Sequence, residues 1–118
     1  MKIVFVDDNE LNRMVMEDML EIVFEDATIE VYESAKEVLM LKLEEYDLIL
    51  SDIDMPEMDG FSLYTALRTE YNFDKPIIAV TALAVNGDKE RILMHGFSDY
   101  ISKPIDMNQL ELTIKKNL

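Results

Sequence analysis

The chain has 118 residues, 25 of them acidic and 11 basic, for a net charge of −14. That is the length of one domain, and such a surface repels nucleic acid and anionic membrane over most of its area. Hydrophobic residues make up 49%, enough to bury a core, and the absence of cysteine excludes a disulfide framework, a thiolate metal site and a catalytic thiol. The apolar start at residues 3–6 is too short for a signal-peptide core. No stretch approaches the roughly 18 apolar residues of a membrane span. A cytoplasmic protein with no direct membrane or nucleic-acid contact is expected. For most of the carboxylates, solubility is explanation enough; only those that converge need another.

Short apolar runs alternate with amphipathic stretches along the chain. Residues 3–6 read as a buried, β-branched strand. Asn9 suits the cap of a helix over 10–24, with Leu11, Met14, Val15, Met19, Ile22 and Val23 at helical spacing. Met14, Met16 and Met19 are expected to divide between core and helix surface. Residues 28–32 form a second strand. Ser34 caps a second helix that turns Ala35, Val38, Leu39 and, further on, Leu43 inward. A third strand over 48–51 ends at Asp52, and a third helix covers 61–68. Met55-Pro56 and Gly60 shape the loop between them, Gly60 by allowing a backbone conformation that other residues resist. A fourth strand over 77–80 ends at Thr81. The fourth helix, 86–95, stops at Gly96, a residue suited to a left-handed C-terminal position. A short fifth strand spans 99–101. Asp106, with Gln109 three residues on, resembles a capping box for a last helix running to about residue 116.

Strands alternating with helices predict one α/β domain over 1–118, a parallel sheet covered on both faces. Ligands of such sheets bind beyond the carboxyl ends of the strands, where strand order reverses. Those positions hold Asp7-Asp8 after strand one, Asp52-Ile53-Asp54 after strand three, Thr81 after strand four and Lys103 after strand five. Packed carboxylates repel one another unless a cation intervenes. A hard divalent cation with oxygen ligands meets that need, and Mg²⁺ uses one or two carboxylates plus waters and phosphate oxygens. Lys103 adds a point positive charge and Thr81 a hydroxyl donor. A carboxylate nucleophile, a metal, an ammonium and a hydroxyl make a set suited to phosphoryl transfer.

Four segments carry a resemblance. They are Val6-Asp7-Asp8-Asn9, the run from Asp52 to Gly60, Pro76 through Ala82, and Asp99 through Ile105. In this order they resemble the receiver domain of two-component response regulators. The resemblance implies a flavodoxin-like, doubly wound (βα)5 fold with five parallel strands in the order 2-1-3-4-5. It implies that Asp52 is the phosphoacceptor, and that the metal is held by Asp8 directly, Asp7 through water, Asp52, and the backbone carbonyl of Asp54. The cofactor would be Mg²⁺, with Mn²⁺ as its substitute. Thr81 and Lys103 would bind phosphoryl oxygens, with Pro104 after a cis peptide. Thr81 and Tyr100 would form the switch. Asp54 and Leu83 would flank the attacking water and tune the lifetime of the acyl phosphate, with apolar Leu83 favouring slow self-hydrolysis.

The implied partners are a sensor histidine kinase or a histidine phosphotransfer protein, and a downstream protein target at the face of helix four, strand five and helix five. The chain would be a monomer or a phosphorylation-dependent dimer, a switch and not a multiple-turnover enzyme. The runs Asn9 to Asn12 and Ile101 to Ile105 resemble hybrid-kinase receivers especially, so a stand-alone receiver and one excised from a larger protein both stay open. Two alternatives remain. Asp52-x-Asp54 resembles the nucleophile and acid/base pair of haloacid-dehalogenase-type phosphatases. The other is a receiver-like binding module that is never phosphorylated.

Overall fold

The computed structural model describes residues 1–82 and 88–118. Five strands, β1 (Lys2–Val6), β2 (Thr28–Tyr32), β3 (Leu48–Asp52), β4 (Ile77–Thr81) and β5 (Asp99–Ser102), pair in parallel in the order β2-β1-β3-β4-β5. The helices are α1 (Glu10–Val23), α2 (Ala35–Leu39), α3 (Gly60–Thr69), α4 (Asp88–His95) and α5 (Met107–Asn117), with a 3-10 turn at Leu43–Glu45. The expected α/β fold and strand order are both present. The fourth helix was expected from Asn86; Asn86, and Leu83 with its tuning role, lie outside the described residues.

The strands alternate their side chains between two apolar layers, as the period of two requires. Val4, Val6, Ile49, Ile77 and Ala79 face α2 and α3, meeting Val38, Leu63 and Leu67. Ile3, Phe5, Leu48, Leu50, Ile78 and Val80 face α1 and α5, meeting Met16, Leu20, Leu110 and Ile114. The central strands β3 and β4 are buried along their whole length. Fully covered strands read as apolar runs, and these two do until Ser51-Asp52 and Thr81, the polar residues at their carboxyl ends.

Local signals set the helix starts. Asn9 Oδ1 accepts from the Asn12 amide at 2.9 Å. Ser34 Oγ accepts from the Glu37 amide at 3.3 Å, while Glu37 reaches back to the Glu33 amide at 3.2 Å. Asp59 caps α3 through the Ser62 amide at 2.8 Å, and Asp106 caps α5 through Asn108 and Gln109.

Three expectations need correction. On α1 the inward stripe is Met16 and Leu20, backed by Met19. Leu11 is 67% exposed and Ile22 64%, and Met14 and Val15 also face solvent. The apolar count picks the wrong face because the buried stripe, traced back toward the first turn, becomes polar at Arg13 and Asn12. Secondly, α2 is a single short helix ending at Leu39, and Leu43 is buried from the separate 3-10 turn. Thirdly, Gly60 is required for space and not for an unusual backbone angle. A Cβ there would run into the carbonyl oxygen of Asp52 and lie 2.9 Å from Ile53 Cα. Gly96 does have a positive φ, 126°, as a helix stop of this kind requires.

Candidate functional site

Strand order reverses between β1 and β3, so the loops after them part and leave a crevice at their carboxyl ends. Register brings the site together there. Val6 pairs with Ser51, Asp52 with Val80, and Thr81 with Ser102. Asp7 and Asp8 therefore emerge beside Asp52, with Thr81 one strand further and Lys103 just beyond β5. Carboxylate oxygens of Asp7, Asp8 and Asp52 lie within 4.8 Å of one another. Asp7 is fully buried, Asp52 is 6% exposed and Asp8 faces solvent.

Among the described residues, one ammonium pairs with this cluster. Lys103 Nζ donates to Asp7 Oδ2 at 3.0 Å and lies 3.3 Å from Asp52 Oδ1. It is aimed from a loop whose Lys103–Pro104 peptide is cis, and the Lys103 amide donates to Thr81 O at 2.9 Å. Asp52 Oδ1 also accepts from the Ile53 amide at 2.8 Å, and Ser51 Oγ donates to the Asp52 carbonyl at 2.8 Å. Burial pushes the Asp52 carboxyl up to about 6; the charge of Asp7 adds to this and Lys103 opposes it. Burial pulls the Lys103 ammonium down, but Asp7 and Asp52 outweigh it and hold the group above the ordinary lysine value. Three carboxylates and one ammonium leave the cluster short of positive charge. The donor set is all oxygen and partly open through Asp8, which fits a hard cation such as Mg²⁺.

The remaining sequence candidates fall around this centre. Thr81 is the last residue of β4 and 1% exposed. Tyr100 lies half-buried on β5, with Lys89 Nζ of α4 5.3 Å from its ring centroid. The Asp54 side chain is exposed in the loop after β3.

Two residues that bear on the site were not singled out by sequence reasoning. Asn12 Nδ2 donates to Asp7 Oδ2 at 3.2 Å, and Arg13 Nη1 donates to the Asp7 carbonyl at 2.8 Å. The signal was available: positions 9, 12, 13, 16 and 20 share one helix face, so the stripe of Met16 and Leu20 leads back to them.

The profile of the response regulator receiver domain matches residues 3–115. The hybrid signal transduction histidine kinase G of Dictyostelium discoideum is 36% identical over 119 residues, covering 98% of this chain and 4% of that protein. The polar-differentiation response regulator DivK of Brucella ovis is 41% identical over 118 residues, covering 98% of this chain and 94% of that one. Among solved structures, one similar chain is the receiver domain of sensor histidine kinase PA1611 from Pseudomonas aeruginosa, with a magnesium ion coordinated in its active-site cleft. It matches with a TM-score of 0.84 at 32% identity, over 98% of this chain and 95% of its own. The chain thus spans nearly all of the Brucella regulator and a small part of the Dictyostelium kinase. A match running through all five strands, with these identities, means that the chain belongs to the response regulator receiver domains of two-component and phosphorelay signalling.

Proposed function

We propose that this chain, as one domain over residues 1–118, is a phosphorylation-dependent switch in which Asp52 is the phosphoacceptor. The observation that carries the reading is the convergence of Asp7, Asp8 and Asp52 within 4.8 Å, with Lys103 Nζ 3.0 Å from Asp7 and 3.3 Å from Asp52. Asp8 would hold Mg²⁺, or Mn²⁺, directly, with Asp7 acting through water and with Asp52 and the Asp54 carbonyl as further ligands. When bound, the metal supplies positive charge to the phosphoryl oxygens.

The residues divide the work. Asp52 attacks the phosphorus of a phosphohistidine on a histidine kinase or phosphotransfer protein. An O–P bond forms at the carboxylate, the P–N bond breaks, and its electron pair returns to the imidazole. Asp52 Oδ1 already accepts from the Ile53 amide and faces Lys103, so Oδ2 is the attacking oxygen. Lys103 follows the negative charge onto the phosphoryl oxygens, and the Thr81 hydroxyl donates to one of them. Tyr100 then turns inward, which alters the face of α4, β5 and α5 presented to a target protein. This is a population shift between two states and not a turnover reaction. The donor must reach the strand ends from outside, and exposed Leu11 and Met14 on the first turns of α1 offer it an apolar surface.

The phosphatase alternative has less behind it. Asp54 is exposed where Asp52 is buried, and Asp52 is neighboured by Asp7, Asp8 and Lys103 instead. The test is intact mass after incubation with acetyl phosphate and Mg²⁺. A single phosphoryl adduct is expected, absent in Asp52→Asn and absent with EDTA. An adduct that persists in Asp52→Asn would move the acceptor elsewhere. Sustained release of phosphate from a monoester would revive the phosphatase.

A further inference from the structure

Asp7 is engaged at every polar atom. Its amide donates to Tyr32 O at 3.1 Å and its carbonyl accepts from Arg13 Nη1 at 2.8 Å. Oδ1 accepts from the Asn9 amide at 2.9 Å. Among the described residues Oδ2 has two donors, Asn12 Nδ2 at 3.2 Å and Lys103 Nζ at 3.0 Å. The two differ in kind. Asn12 is neutral and sits on α1, whereas Lys103 is charged, carried on a long aliphatic stem and shared with Asp52.

Lys103 has to leave Asp7, at least in part, if it follows charge onto a phosphoryl group. A buried carboxylate oxygen stripped of its donors is costly. Asn12 is the donor that remains on Oδ2. Without it, Asp7 would depend on Lys103 alone for that oxygen and would hold the ammonium back. The same ammonium, drawn into the acidic cluster, would repel a divalent cation there.

We propose that Asn12 is a positioning residue: its amide holds Asp7 Oδ2 so that Lys103 is free to move to the phosphoryl group and a divalent cation can enter beside Asp7. This deepens the phosphoacceptor reading and rests on it. A hydrogen bond to a charged group is worth about 1.5–3 kcal/mol, which corresponds to about tenfold to a hundredfold in a rate or an affinity.

The test compares wild type, Asn12→Leu, Asn12→Gln and Leu20→Ala. Leu20 is buried on the same helix face but belongs to the core, so its variant reports on destabilisation alone. Three quantities are read: Mg²⁺ affinity of the unphosphorylated protein by calorimetry, phosphorylation rate at saturating Mg²⁺ by intact mass, and metal-free unfolding temperature. Asn12→Leu is expected to weaken Mg²⁺ severalfold and to slow phosphorylation about tenfold, with partial recovery in Asn12→Gln. Leu20→Ala is expected to lower the unfolding temperature and leave both other quantities unchanged. The proposal is overturned if Asn12→Leu changes only the unfolding temperature, or if Leu20→Ala weakens Mg²⁺ as much. Failure of wild type to take a phosphoryl group would sink the phosphoacceptor reading instead, and the Mg²⁺ arm would still decide the role of Asn12.

Discussion

Two clusters in this molecule use the same chemical groups to opposite ends. Beside β2, Glu30 accepts from Tyr32 Oη at 2.6 Å and from Tyr46 Oη at 2.7 Å, and lies 3.5 Å from Lys2 Nζ. The Tyr32 hydrogen bond, against the opposing effect of burial, holds the Glu30 carboxyl below its ordinary value. Burial first, and then Glu30, push the Tyr46 phenol up to about 12. At the strand ends, by contrast, Asp52 is pushed up to about 6. Both clusters pair a lysine with carboxylates. In the first, Glu30 is met by two phenols and Lys2, and the other carboxylate near Lys2, Glu45, faces solvent; in the second, Asp7, Asp8 and Asp52 converge beside one lysine and two of the three are buried. A cluster that satisfies itself stabilises the fold. One left short of positive charge is a place for a cation and a phosphoryl group.

The contrast can be broken most severely at Lys103. Lys103→Met should slow phosphorylation of Asp52 by about a hundredfold or more, because a preorganised cation at the developing charge is lost. It should also cost the metal-free fold about 1–3 kcal/mol, since buried Asp7 loses a donor and is left facing Asp52. A mass time course and urea unfolding read the two effects, and Mg²⁺ should restore part of the stability. If stability is unchanged, the cluster is better solvated than its burial implies.

A second, intermediate effect lies in pH. The Asp52 carboxyl is raised from 3.8 to about 6 in the fold. Its contribution to metal-free stability is therefore complete below about pH 4 and is lost as pH rises through about 6. Asp52→Asn removes that loss. Its stability relative to wild type should rise by up to about 3 kcal/mol between about pH 4 and about pH 7 in EDTA, and less with Mg²⁺ present. A constant difference across that range would show that Asp52 titrates near its ordinary value.

The smallest effect is expected at the satisfied cluster. Glu30→Gln should cost about 1–2 kcal/mol in urea unfolding, because two phenols lose a charged acceptor. Phosphorylation rate should not change. A parallel fall in rate would mean that the β2 edge and the strand-end crevice are coupled, and that the comparison does not separate structure from site.

Much of the fold was legible in residue order. The β2 boundaries come out as read, α1 starts at Glu10 as its cap implied, and the other described strands and α3 gain only a residue or so at an end. The strand-end rule alone placed Asp7, Asp8, Asp52, Thr81 and Lys103 on one edge, and the structure brings them there. The misreadings share a cause. On α1, Leu11, Met14, Val15 and Ile22 looked like the inward face because they are apolar, yet Asn12 and Arg13 point toward Asp7. Near a polar site the rule that polar residues face out reverses. Gly60 looked like a conformational device and is a spacer against Asp52 and Ile53.

By itself, the sequence determined the element order, the caps, the parallel α/β class and the identity of the acidic, hydroxyl and ammonium groups at the strand ends. These follow from local periodicity, short-range hydrogen bonding and the position of each residue relative to its own strand. Tertiary structure alone decided which oxygen of Asp7 meets Lys103, that Asn12 shares it, that Glu30 is satisfied by Tyr32, Tyr46 and Lys2, and that Asp52 is held near 6. Lys103 stands 96 positions from Asp7 along the chain and 3.0 Å away in space. Only the sheet's register and burial set that distance and the electrostatics that depend on it, so no window along the chain contains them.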